Sequence, residues 1–277
     1  MSTRAVVLGG GGVAGIGWLV GVATVLRDEG VDLAAADRLI GTSAGSAVAT
    51  QIATGSLDEA ARMQLSEQTA EINADFDMEE FLRLATTIAA EASSPLDAVR
   101  RFANMPRQDT SVTAGERREA VAARLPVKTW PDQPLSICVV AQDTGERVIL
   151  DRASGVDLVD AVVASCAVPG IWPPVELDGR MFVDGGTHST TNADLAAGTD
   201  KTLILVPSVL LEPQAALLDV ERGQLAPGTS LVVQADEGSI AAFGPNPLDP
   251  STRAPAFHAG QRQAQQSLAA VAAFWGA

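Results

Sequence analysis

The run Leu39-Ile40-Gly41-Thr42-Ser43-Ala44-Gly45-Ser46 constrains this chain more than any other stretch. An apolar strand enters a serine flanked by glycines, the Gly-x-Ser-x-Gly pattern of a turn that lifts a nucleophile out of a sheet edge. A strand that becomes a helix at once forces strained backbone on the residue at the bend. Gly41 and Gly45 withhold the side chains that would collide there. Ala44 to Thr54 lacks proline and reads as the helix that follows, with Gly55 as a left-handed cap. Its first turn would aim free N–H groups and the positive dipole end near Ser43. The competing reading is a tight turn with an inert serine.

The flanking segments set the fold class. Ala5 to Leu8 is an apolar strand, Gly9 to Gly12 a glycine loop, and Val13 to about Glu29 a helix stopped by Gly30. With the second strand at Arg38 to Thr42, this strand–helix–strand start predicts an α/β fold with a mostly parallel central sheet flanked by helices. Gly17 and Gly21 lie one turn apart, on a face expected to approach the sheet. From Ser56 to about Pro134 the pattern is helix and loop, with capping-box spacings at Ser56/Glu59 and Thr113/Glu116. Phe81, Leu84, Ala85, Ile88, Ala89 and Ala92 form one helical stripe, expected to pack into the core, with a lid or membrane-facing helix as the alternative. Strands return at Leu135–Ala141, Arg147–Leu150, Arg180–Val183, Thr202–Pro207 and Ser230–Ala235. Asp157 caps a helix ending before Pro169, and an alanine-rich helix carrying Leu268, Val271 and Trp275 closes the chain. No linker divides residues 1–277, so one domain is expected.

Charge excludes some functions. The net charge of −15 speaks against nucleic-acid partners and against tight docking on anionic lipid, while transient apolar contact with a membrane surface stays available. Cys138 and Cys166 lie in apolar runs and read as buried free thiols, consistent with a reducing cytoplasm. Met1-Ser2-Thr3-Arg4 leads straight into the first strand, so neither a signal peptide nor a membrane span is expected. Oligomeric state is not readable from the sequence.

Three loops, each after a predicted strand, carry the candidate chemistry: Gly9–Gly15, Gly41–Gly45 and Asp184–Gly186. The carboxyl ends of strands in open parallel sheets are where sites are built. A serine needs a base, and only two histidines exist, His188 and His258. Asp184 follows an apolar strand and precedes two glycines, Gly185 and Gly186, which leave its carboxylate room to take a serine proton in a water-poor site. A Ser43–Asp184–His258 order would instead suit an α/β-hydrolase. Gly10-Gly11-Gly12-Val13-Ala14-Gly15 also fits Gly-x-Gly-x-x-Gly, but the second strand ends in Gly41-Thr42-Ser43 rather than a ribose-binding acid. The loop serves better as an oxyanion hole of bare N–H groups. A non-catalytic interaction protein is the remaining reading.

Taken together these motifs resemble the patatin-like phospholipase family. A glycine-rich oxyanion loop, a Gly-x-Ser-x-Gly elbow and a later Asp-Gly-Gly occur in that order as Gly10–Gly15, Gly41–Gly45 and Asp184–Gly186. The run Ala164 to Pro174 is similar to the family's approach to that aspartate, as is Thr144-Gly145-Glu146. The resemblance covers residues 5–207 and implies a three-layer core, onto which 208–277 would pack. It implies a lipid or other ester substrate, Ser43 as nucleophile, Asp184 as base, an oxyanion hole from Gly10, Gly11, Gly12 and Val13, support from Gly15, Gly41, Gly45, Gly185 and Gly186, and no cofactor or metal. Family members commonly carry Arg or Lys where this chain has Ala14. That loss of charge support favours simple esters over phospholipids.

Overall fold

The computed structural model describes residues 2–210 and 212–276. Eight strands form one sheet: β1 (Arg4–Leu8), β2 (Arg38–Thr42), β3 (Leu135–Ala141), β4 (Arg147–Leu150), β5 (Val175–Leu177), β6 (Arg180–Asp184), β7 (Lys201–Val206) and β8 (Thr229–Gln234). Their order is β5-β6-β3-β2-β1-β7-β8, with β4 also on β3. The neighbours β3-β2-β1-β7-β8 are parallel, while β4, β5 and β6 add antiparallel pairs. The helices are α1 (Gly12–Asp28), α2 (Ala44–Ala53), α3 (Leu57–Leu65), α4 (Met78–Glu91), α5 (Pro95–Ala103), α6 (Ala114–Ala122), α7 (Leu158–Ser165), α8 (Gln214–Gly223), α9 (Glu237–Phe243) and α10 (Arg253–Trp275).

The expected layers follow from strand alternation. Val6, Leu8, Leu39, Ile137, Val139, Leu203 and Leu205 point into one core with α1, α2, α7 and α10. The intervening Ala5, Val7, Ile40, Cys138, Ile204 and Val206 point to the other face, against residues 193–196 and α8. Both cysteines are buried and free. The Thr113/Glu116 capping box forms, whereas Ser56 caps α3 with its backbone alone, its hydroxyl turning to Thr54 and Gln51 instead.

Two expectations need correction. Gly17 and Gly21 approach α10, not the sheet: a Cβ on Gly17 would meet the Arg253 carbonyl and one on Gly21 the Phe257 carbonyl. Gly260 does the same against Trp18. These glycines lie on the α1 side that faces another helix, and small residues from both helices let the backbones meet. The stripe on α4 is not core either, for no residue of that helix is buried. Phe81, Ala85, Ile88, Ala89 and Ala92 instead wall a large pocket.

The α1–α10 contact yields a prediction. Gly21→Ala forces a methyl into backbone with no flexible side chain to yield. It should lower unfolding stability by about 1–3 kcal/mol in urea titration, with no change if the helices can part freely.

Candidate active site

The register on β3 brings the site together. Cys138 pairs with Thr42 of β2, and the next residue, Val139, pairs with Asp184 of β6. Because β4 occupies the opposite edge of β3 from Ile137 to Val140, β2 and β6 must share one edge, end to end. Parallel β2 runs up to Thr42 and antiparallel β6 runs down to Asp184, so the two strand ends face each other. The sequence reading placed all three loops at carboxyl ends of strands in a parallel sheet. Asp184 does arrive at a strand end, but from the opposite direction.

Ser43 sits at the bend between β2 and α2 with φ 52° and ψ −119°, a conformation rare for a residue with a side chain. Close contacts hold it there. A Cβ on Gly45 would overlap the Leu8 carbonyl, and one on Gly41 would strike the Ser46 backbone. The Ser43 N–H donates to Ser165 Oγ at 3.0 Å, and Ser165 Oγ donates to the Cys138 carbonyl at 2.7 Å. Thus the end of α7 ties the elbow to β3. Thr42 is held in turn by Asn192 Nδ2 at 3.0 Å. Sequence reasoning singled out neither Ser165 nor Asn192, because nothing local marks a serine or asparagine whose partners are distant in the chain.

Asp184 is 3% exposed and Ser43 8%. The aspartate N–H donates to the Ala167 carbonyl at 3.0 Å, which explains why the 164–174 run belongs with it. The Gly186 N–H donates to Asp184 Oδ1 at 2.7 Å, while Oδ2 is buried without a hydrogen-bond partner. Burial pushes the carboxyl up to about 7, opposed by the neighbouring Ser43 hydroxyl, the Gly186 N–H and the charge of Arg117. The hydroxyl and carboxyl are therefore adjacent but do not form a well-aligned hydrogen bond, a common state before substrate arrives.

The glycine loop meets both groups. Gly10, Gly11, Gly12, Ser43, Asp184, Gly186 and His188 line one pocket of about 1010 Å³. Its walls are largely apolar: Phe81, Leu82, Ala85, Ile88 and Ala89 from α4, Val99 and Phe102 from α5, and Val209, Leu210 and Leu217 opposite. Of the four expected oxyanion donors, Gly10 is spent, since its N–H donates to the Thr190 carbonyl at 2.9 Å. No acceptor among the described residues takes the N–H of Gly11, Gly12 or Val13. Gly15 fits tightly between Ala44 and Pro207, and Gly185 lies where a Cβ would overlap the Cys138 carbonyl.

His258 is exposed on α10, bonded to Gln261, and is not part of this pocket. His188 does reach the pocket. Burial and the charge of Arg147 hold its imidazole below the usual value, hence neutral at pH 7. Among the described residues no group of acidic, histidine and cysteine side chains is arranged to hold a metal ion. Nor is any helix long and apolar enough to cross a membrane.

The family model described as Patatin-like phospholipase matches residues 6–197, more than half the chain. The chain belongs to the patatin-like phospholipase family, and that membership supports a lipid hydrolase. Among solved structures it is similar to VipD from Legionella pneumophila, at 14% identity and a TM-score of 0.48, over 97% of this chain and 67% of that one. It is also similar to the type III effector protein ExoU, at 18% identity and a TM-score of 0.37, over 96% of this chain and 53% of the other.

The raised carboxyl gives a stability prediction. A folded-state value near 7 against 3.8 unfolded means that the native state binds the extra proton, so stability falls as pH rises from about 4 to 7. Asp184→Asn keeps an oxygen for Gly186 and cannot ionise. It should be more stable than the natural chain at pH 8, by at most about 4 kcal/mol, with the gain gone at pH 4. Thermal melts at both pH values test this, and a loss at pH 8 would contradict it.

Proposed function

We propose that this protein is a serine acyl hydrolase that cleaves carboxylic esters of lipids through Ser43 and Asp184. The observation that supports it most is the buried carboxyl of Asp184, its Oδ2 without a partner, beside a strained serine at the foot of a large apolar pocket. An acyl chain lies along α4 and α5, which leaves the ester carbonyl over Ser43. Ser43 Oγ attacks the carbonyl carbon as its proton passes to Asp184, and the carbonyl oxygen takes the negative charge over the N–H groups of Gly11, Gly12 and Val13. Collapse breaks the ester C–O bond, and the leaving alkoxide recovers the proton from Asp184. Water then attacks the acyl-enzyme, gives its proton to Asp184, and releases the acid while Ser43 is reprotonated.

A base near 7 suits this cycle, because it is substantially ionised at neutral pH and still basic enough to accept a proton. The usual carboxylate value near 4 would leave a base much too weak. The apolar wall does both jobs, desolvating Asp184 and holding the chain. The His258 route loses support because that side chain is exposed, bonded to Gln261, and does not line the pocket that holds Ser43. The nucleotide reading loses it from the crowding of Gly11 against Pro207.

Hydrolysis of p-nitrophenyl butyrate and of a long-chain lipid ester should fall by about 10⁴-fold or more in Ser43→Ala and in Asp184→Asn. In the natural chain kcat/KM should drop about tenfold per pH unit below an apparent pKa near 7. Turnover in folded Ser43→Ala at the natural rate would refute the reading.

A further inference from the structure

Arg117, on α6, lies far in sequence from every motif of the site, yet it is 4% exposed with its Nε and Nη1 buried and without partners. Among the described residues it forms no ion pair. Its guanidinium stacks on Trp172 at 3.9 Å from the ring centroid. The neighbouring Arg124 behaves otherwise: it holds buried Glu71 through two hydrogen bonds of 2.7 Å and donates to Cys166 Sγ. Of the two carboxylates whose charge reaches Arg117, Glu71 is thus committed to Arg124, and Asp184 makes no hydrogen bond to the Arg117 guanidinium. Burial lowers Arg117 to about 9, which still leaves it charged at neutral pH.

A buried cation with two unmet donors costs stability, and such groups persist where function requires them. Where it sits gives the requirement. Arg117 lines a second, small cavity of about 10 Å³ together with Gly12, Val13, Ser43, Ala44 and Trp172, and Gly12 and Ser43 also line the large pocket. Two helices start at its wall, and the N–H groups of Gly12, Val13 and Ala44 have no acceptor among the described residues. The lining therefore offers donors and positive charge from both helix ends and from the guanidinium. Such a site suits an occupant that only accepts. Its size admits one oxygen atom and not a phosphate group.

We propose that this cavity is the oxyanion subsite and that Arg117 is a catalytic residue donating to the substrate's carbonyl oxygen as it becomes negative. The charge missing at Ala14 is then supplied from α6, a different element. It acts on the reacting oxygen, so the subsite serves carboxylic esters generally and confers no recognition of a phosphate headgroup. This inference rests on Ser43 being the nucleophile.

Diethyl p-nitrophenyl phosphate tests both statements separately. Ser43 Oγ forms a bond to phosphorus, p-nitrophenolate leaves, the serine proton passes to Asp184, and the phosphoryl oxygen enters the subsite. The rate is read from released p-nitrophenolate and the adduct from mass spectrometry. Arg117→Met should slow adduct formation on Ser43 about 10²-fold, with a melting temperature equal to or above that of the natural chain, because an unpaired buried cation has been replaced by an apolar side chain. Arg117→Lys should fall between the two. Arg117→Gln, which keeps donors and loses the charge, covers a failure of the Met variant to fold, with the same slowing expected. Adduct on Ser43 at a rate within threefold of natural in either neutral variant would overturn the role of Arg117 while leaving Ser43 as nucleophile. No Ser43 adduct even in the natural chain would overturn both.

Discussion

The structure depends on one strand used as a ruler. β3 carries Thr42 and Asp184 as partners of consecutive residues on the same edge, so the elbow and the carboxyl are held a residue apart by backbone hydrogen bonds. Strand pairing is stiff and its register cannot slip by one residue without turning every side chain to the wrong face. Val139 and Ile137 anchor one face and Cys138 the other, so a slip would empty both cores. The precision that the proposed proton transfer needs is thereby inherited from the sheet. No flexible loop has to supply it.

Around that ruler the chain departs repeatedly from what stability alone would favour. Ser43 has positive φ, Asp184 Oδ2 has no partner, and Arg117 keeps two donors unmet, all within one neighbourhood. Elsewhere many polar groups are well satisfied, as in the Arg147 fork to Asp194 or the Ser239–Gln263–Trp18 network, while Gln51, Gln64 and Glu221 each keep one buried oxygen unmet. A strained nucleophile, an unmet carboxylate oxygen and an unmet cation meeting in one neighbourhood are what a reactive site looks like in physical terms. The tight α1–α10 packing and the doubly covered sheet offset these costs.

Much of this was legible in the sequence where the cause is local. The elbow glycines, the Asp-Gly-Gly turn, the Thr113 capping box and the apolar strands all rest on neighbours within a few residues, and each forms. What failed rests on partners distant in the chain. The glycines of α1 could be read as a close-approach face, but not that α10 would be the element approaching. The α4 stripe has core periodicity, yet beyond Phe81, which packs on Phe76 and Phe102, its residues Ala85, Ile88 and Ala89 face a cavity, and periodicity alone cannot distinguish the two. The Gly10 N–H looked as available as its neighbours until Thr190 took it. Arg117 carried no signal at all, because an arginine in a polar helix reads as a surface residue until its burial is known.

The central claim is that a carboxyl, not an imidazole, takes the proton of Ser43. It is tested most directly by the pH dependence of single-turnover acylation in a chain with both histidines replaced, His188→Gln with His258→Gln. The account predicts that the variant is still acylated and that its rate still rises with pH around 7, the value to which burial brings Asp184. Loss of that rise, with acylation abolished in a folded protein, would show that a histidine supplies the base and would contradict the account.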